Sequence, residues 1–546
     1  MKLGRIVGCL LAVERGLSRL ASRKLLTVLL VGLISLAGRA LLLPVLPIPK
    51  PAIQDEFSYL LASDTFASGR LANTTHPFAE HFETLQVLSH PTYASKYPPF
   101  SGLMMAVGQR LTGDPWTGVW LGTGLLCSAI CWALQGWLPP SWALLGSLIA
   151  LLRIGLVSYW TESYWGGACA AIGGALVIGA VPRLIERIDP FPATVFAAGL
   201  AILANTRPNE GLIISLACTG FLAVALVRRH RHAEVTHLLR KALLPMTLVL
   251  APIFICMAYY NYRVTGNPLE MPYIAHEKQY AVLSPLLWKV HASPAPVYSN
   301  SFLRDFWLVA DRGEKEREHR LILRTHVSDL RELGQFFLGW PLVLCIVGFA
   351  RPLWRDPTAR SVLLIAAVFY AGAALDGRLY PHYASPATAL FYILAASAFR
   401  VMRKTWPGSL SERIYVTWAV LAVFTLSTGL ALLTPENRYL FGPIDYHIRA
   451  KHATVAARLQ NVPGEHLVLV RYGIHHEIYE ELVYNSADID RSKIVWARSL
   501  GSEKDQRLIQ YYAGRQVWSL EEDGDVKLSR YSPPANSVAA RVTGND

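Results

Sequence analysis

The chain has 546 residues, of which 52% are hydrophobic and 17% charged, and its mean hydropathy is +0.30. These values exclude an ordinary soluble enzyme and a disordered chain, and they describe a polytopic membrane protein. The net charge of +13 would suit a nucleic-acid binder, but the basic residues stand in short clusters at the ends of apolar runs. That is the positive-inside pattern of a membrane protein, so no nucleic-acid partner is expected.

Residues 1–24 carry Arg5, Arg15, Arg19, Arg23 and Lys24 and are assigned to the cytoplasm, which sends the first span, Leu25 to Leu46, outward. This run is too long for a signal peptide and lacks a small-residue cleavage site. The first outer loop, 47–115, opens with Ile53-Gln-Asp-Glu-Phe-Ser-Tyr59 and reaches Lys96-Tyr-Pro-Pro-Phe100. Leu103 to Leu111 is short, follows two prolines and carries Arg110, so it is read as an interfacial helix that does not cross.

Spans are then expected at Trp116–Trp137, Trp142–Val157, Trp165–Val181, Pro192–Asn205, Gly211–Val227 and Leu243–Tyr260. After a large outer loop, 261–335, they continue at Phe336–Ala350, Ser361–Leu375, Pro386–Phe399 and Ile414–Leu433. With about eleven spans, each basic cluster falls inside, and the tail from Thr434 falls outside. Had the Leu103 segment crossed, the later clusters would face outward.

The tail, 434–546, alternates strand-like runs at His466–Arg471, Lys493–Ala497 and Gln516–Leu520 with helix-like stretches at His475–Tyr484 and Asp505–Tyr512. It predicts a small soluble α/β domain. The expected architecture is therefore an all-α membrane domain, 25–433, followed by that domain. All seven cysteines lie in or beside apolar segments, which encodes neither a disulfide framework nor a zinc finger. There is no P-loop, G-x-S-x-G or H-E-x-x-H.

Two adjacent acids at the start of the first outer loop, helix-like segments after them and a basic-Pro-Pro segment before the next span occur in one order. In this the chain resembles the GT-C superfamily of polyprenyl-phosphate-dependent glycosyltransferases, in particular protein O-mannosyltransferases and the bacterial aminoarabinose and RgtA-like transferases. The similarity extends over roughly residues 20–400 and rests on the combination of short motifs. It implies a polyprenyl-phosphate-linked sugar as donor, a protein, lipid or glycan as acceptor, and a bacterial inner membrane as location. Some relatives use a divalent metal ion and others none.

Glycosyl transfer from a lipid phosphate needs a base for the acceptor hydroxyl and cations for the departing phosphate. Asp55 is the expected base, with Glu56 as a second carboxylate that orients the acceptor; the opposite assignment is also open. Both could instead serve only the helix start, Asp55 as a cap and Glu56 against the dipole. Lys96, fixed by the following prolines, is the foremost phosphate ligand, and Arg207, Arg378 and His382 stand in other outer turns. Tyr59, Tyr97, Glu162, Tyr164 and Arg263 are candidates for substrate contact.

His76, His81 and His90, with Glu80 and Glu83 nearby, raise a metal question, but their spacing matches no strong ligand motif. Asn73-Thr-Thr75 has the form of a glycosylation acceptor. A transporter or flippase would place charges inside spans, where Arg39 and Arg153 stand, and would show two related halves, which are not found. A scaffold or sensor read out by the tail leaves the charged outer turns unexplained.

Overall fold

The computed structural model describes residues 2–229, 235–282, 296–376, 378–433 and 446–532. The start of the tail and residues 533–546 lie outside this set, as do Gly377 and the end of the basic cluster at 228–231. Among the described residues, seven helices are long and apolar enough to cross a membrane: Lys24–Leu41, Trp116–Trp137, Ala168–Glu186, Pro208–Arg229, Thr236–Thr265, Ser385–Thr405 and Leu410–Leu430. Three shorter apolar helices, Pro140–Gly155, Pro190–Ala204 and Pro357–Ala373, accompany them, with one bent pair. The chain is an integral membrane protein; these elements fall on the eleven apolar runs of the sequence, but among the described residues only seven, or eight with the bent pair, have the length and apolarity of a span, against the eleven expected.

The bent pair departs from the expected single span at Phe336–Ala350: Arg324–Phe337 and Gly339–Gly348 meet at 110°. Gly339 makes the corner with φ +69, where a side chain is disfavoured. A corner strips the last carbonyls of the preceding helix of their partners. Arg153 supplies them, donating from Nε to the Phe336 carbonyl at 2.8 Å and from Nη2 to that of Gln335. A charge in the middle of one apolar run thus stabilises the break in another.

Pro99–Thr112 is the short helix expected at the interface, with a proline at its start and Gly113, φ +83, at its end. Asp114 Oδ1 accepts from the Trp116 amide at 2.8 Å and starts the next span at once. A Cβ on Gly108 would lie 2.1 Å from the Gly118 nitrogen, so the two helices touch backbone to backbone. The rest of the first loop holds the Gln54–Ala67 helix, a short Ala79–Phe82 helix and a small antiparallel sheet in which Thr92–Ser95 lies between Asn73–Thr74 and Val87–Leu88.

The tail carries a four-stranded sheet in the order Ile494–Arg498, His466–Tyr472, Gln516–Asp523, Asp525–Arg530, the first three parallel and the last antiparallel. The helix-like stretch at 475–484 is not helical. There the Glu481 carboxylate accepts from the amides of Leu482 at 2.9 Å and Val483 at 2.8 Å, from the Tyr472 hydroxyl and from Arg498. Side-chain acceptance of this kind competes with the helical ladder.

The sheet does not close its core alone. Leu467, Leu469, Val495 and Leu508 of the tail share one cluster with Leu61, Phe82, Val87 and Tyr93 of the first loop. The loop and the tail therefore sit on one side of the span layer. At the other end of the first span, the Lys2–Ser22 helix is fixed by Glu14, which takes two hydrogen bonds from Arg403, at 2.6 and 2.8 Å, and one from Trp418 at 3.0 Å.

Candidate active site

Lys96 leaves the Thr92–Ser95 strand just before the prolines that open the Pro99–Thr112 helix. Ser58, one turn into the Gln54–Ala67 helix, bonds Ser95 Oγ at 2.8 Å and the Gln86 carbonyl at 2.6 Å, which locks strand against helix. The Phe100 amide donates to the Asn205 carbonyl at 3.0 Å and draws the Arg207 turn alongside. Three segments distant in sequence thus converge on one spot.

There the half-buried Asp55 accepts a hydrogen bond from the Tyr97 hydroxyl, and the Tyr97 ring stacks on Tyr59 at 4.3 Å. Lys96 is only 5% exposed; its Nζ lies 4.8 Å from the centre of the Tyr273 ring and 3.7 Å from Glu277 Oε1. Burial pulls the Lys96 pKa below the usual lysine range, while Glu277 and Asp55 oppose the shift. Arg207 covers Tyr383 at 4.5 Å and stands 3.7 Å from Glu210. Burial works against its charge, but Glu210, Tyr59 and Tyr383 prevail and raise its pKa.

His382 is the neighbour of Tyr383; its Nδ1 lies 2.8 Å from the Tyr159 hydroxyl and its ring 4.4 Å from that of Trp165. Burial, with Arg207 nearby, pushes its pKa well below the usual histidine value, so it is a neutral polar group rather than a cation. Asp55, Lys96, Arg207, Tyr59 and Tyr97 are therefore brought together, with His382 at the edge. Tyr164 packs in the cluster of Tyr59, Met105 and Trp116, and its hydroxyl donates to the Pro49 carbonyl at 3.1 Å.

Other expected site residues have different surroundings. Glu56 is fully buried; Oε2 accepts from the amides of Ala52 at 2.7 Å and Ile53 at 3.3 Å, and Oε1 from that of Tyr164 at 3.0 Å. The helix-start role considered for both acids thus belongs to Glu56, leaving Asp55 turned to the cluster. Glu162, expected among stacking aromatics, pairs at 2.8 Å with Arg39, which also donates to the Leu46 carbonyl at 2.9 Å. Arg378 is held by Asp329 at 3.5 Å and Glu332 at 3.1 Å, and Arg263 is exposed, bonded to Tyr259 on its own helix at 3.2 Å.

The first-loop histidines and acids join the loop to its neighbours. His76 bonds Asp490 at 3.1 Å, His81 the Arg498 carbonyl at 2.8 Å, Glu80 pairs with Lys504 at 2.6 Å, and Glu83 accepts from Tyr280 at 2.5 Å. Among the described residues, no group of three or more His, Cys, Asp or Glu side chains is arranged to hold a metal ion. Asn73 is buried, its amide donating to Thr65 at 2.8 Å and the Tyr93 carbonyl at 3.0 Å, so it is not an accessible modification site. Sequence reasoning missed Glu277, Tyr273, Glu210 and Tyr383. The only available signal for the first two was their spacing on a short helix, Pro272–Tyr280, opened by a proline.

No family model and no curated protein sequence matches the chain. Solved structures do. ArnT from Cupriavidus metallidurans bound to undecaprenyl phosphate superposes with a TM-score of 0.51 at 15% identity, over 94% of each chain. The Archaeoglobus fulgidus oligosaccharyltransferase tethered with an acceptor peptide gives 0.50 at 11% identity, over 91% of this chain and 68% of its own. At such identities the likeness is one of fold: the chain shares the fold of these two structures and carries a small C-terminal sheet domain.

Proposed function

We propose that the chain is an inverting glycosyltransferase that moves a sugar, hexosyl or pentosyl, from a polyprenyl-phosphate monosaccharide to a protein, lipid or glycan acceptor at the outer face of a bacterial inner membrane. The observation that carries this reading is a half-buried carboxylate, Asp55, grouped with a buried lysine, Lys96, and a half-buried arginine, Arg207, where the first outer loop meets the span layer. The amino terminus is then cytoplasmic and the tail extracytoplasmic, in keeping with the basic clusters at the opposite ends of the spans.

In the transfer, Asp55 takes the proton of the acceptor hydroxyl as its oxygen bonds to the anomeric carbon. The bond from that carbon to the phosphate oxygen breaks on the opposite side, which inverts the centre. The leaving lipid phosphate keeps the electron pair, and Lys96 and Arg207 stabilise its charge. Tyr97 fixes the Asp55 carboxylate, and the Tyr59–Tyr97 stack offers an apolar face to the sugar ring. Because the lipid phosphate leaves as a stabilised anion, the step needs no general acid.

Purified protein in lipid nanodiscs, incubated with a panel of radiolabelled polyprenyl-phosphate sugars and candidate envelope acceptors, should transfer or hydrolyse one of them. Inertness of a folded preparation towards the whole panel would sink the reading.

A further inference from the structure

A buried ammonium is costly without a counter-charge. Asp55 is already engaged by the Tyr97 hydroxyl, and the acid nearest to Lys96 is Glu277. The 3.7 Å between Lys96 Nζ and Glu277 Oε1 exceeds hydrogen-bond reach, and Glu277 Oε2 is buried without a hydrogen-bond partner. The pair is thus an electrostatic contact with loose geometry. Around it stand Tyr273 and His276 of the same helix and the Asp311–Lys315 ion pair, 2.9 Å across, whose two charges act on Lys96 in opposite senses. A phosphate oxygen on Lys96 would form a charge-assisted bond of about 2.7–2.9 Å, a better contact than the one Glu277 makes.

We propose that Glu277 is the resident counter-ion of Lys96, displaced by the donor phosphate and returning to compete with the product phosphate, so that it sets how tightly the spent lipid carrier is held. The proposal rests on Lys96 being the phosphate ligand. Its chemical logic lies in the change of charge across the reaction. The donor phosphodiester carries one negative charge, while the product monoester carries about −1.5 to −2 near neutral pH. Lys96 alone would therefore hold product more strongly than donor, and a competing carboxylate corrects that imbalance.

The test is equilibrium binding of farnesyl phosphate, a short polyprenyl monophosphate, to the full chain in nanodiscs. Glu277→Gln and Glu277→Ala should each bind it roughly 3- to 10-fold more tightly than wild type, the scale of losing one partly solvated ion pair. Lys96→Ala should weaken binding, and Lys96→Ala/Glu277→Gln should bind no more tightly than Lys96→Ala. If both Glu277 variants bind like wild type or worse while Lys96→Ala weakens binding, the counter-ion role is overturned and the phosphate role of Lys96 stands. If Glu277→Gln tightens binding equally without Lys96, Glu277 acts on the phosphate directly and the proposal fails. If Lys96→Ala leaves binding unchanged, the phosphate assignment itself falls and this proposal with it.

Discussion

Replacing Glu56 by glutamine changes one oxygen to an amide nitrogen and almost nothing in volume, which makes it a sharp test of how the two adjacent acids divide their work. In the native chain both Glu56 oxygens accept backbone amides, those of Ala52 and Ile53 on one side and that of Tyr164 on the other. A glutamine keeps one side and turns N–H against N–H on the other. One buried donor left without an acceptor costs about 1–3 kcal/mol, and charge assistance is lost on the bonds that survive. A total of about 2–4 kcal/mol is expected.

Thermal and denaturant unfolding of the purified protein, followed beside transfer activity, would measure this. Glu56→Gln should lower stability and reduce activity in proportion to the folded fraction, whereas Asp55→Asn should keep wild-type stability. A Glu56→Gln protein with native stability and no activity would refute the division and make Glu56 the chemical group. Native stability together with native activity would show that the buried network carries little weight.

Asp55→Asn should lower transfer by about 10²- to 10⁴-fold, the usual contribution of a general base, with donor binding nearly unchanged; weak donor binding instead would point to a positioning role. Burial holds the Lys96 pKa below the ordinary lysine value of about 10.4. Phosphate binding needs the protonated form, so donor affinity should fall as pH rises, on a limb that begins below that of a surface lysine. In Lys96→Arg that limb should disappear, and its persistence would locate it in another group. Glu162→Ala removes a carboxylate paired with a fully buried Arg39 and should destabilise the fold, with activity per folded molecule preserved. A stable but inactive Glu162→Ala would restore Glu162 to the substrate side.

The apolar runs fixed the span layer closely because hydrocarbon leaves the backbone no alternative to internal hydrogen bonds. The corner at Gly339 was hidden in an unbroken apolar run, since what permits it is Arg153, far away in sequence. In the tail the alternating strands were legible, but the stretch at 475–484 has helical composition and is overruled by Glu481. At the site, Asp55 and Lys96 could be read from local motifs. Glu277 could not, because its meaning lies in a distance to Lys96 that only the packed loops create. Glu162 and Arg378 show the converse, as each looks available in sequence and is claimed by a charge from a remote segment.

The apolar cluster shared by the first loop and the tail also bears on how the protein is made. Leu61, Phe82 and Tyr93 meet Leu467 and Leu508 only when the two ends of the chain come together. At about 5–20 residues per second, the roughly 400 residues between them take on the order of 20 to 80 s to synthesise. Throughout that interval the apolar underside of the first loop lacks its partners from the tail. The finished architecture therefore demands either a guardian for this surface during biogenesis or a loop that folds late, because the core under the first loop is completed only by strands translated long after it.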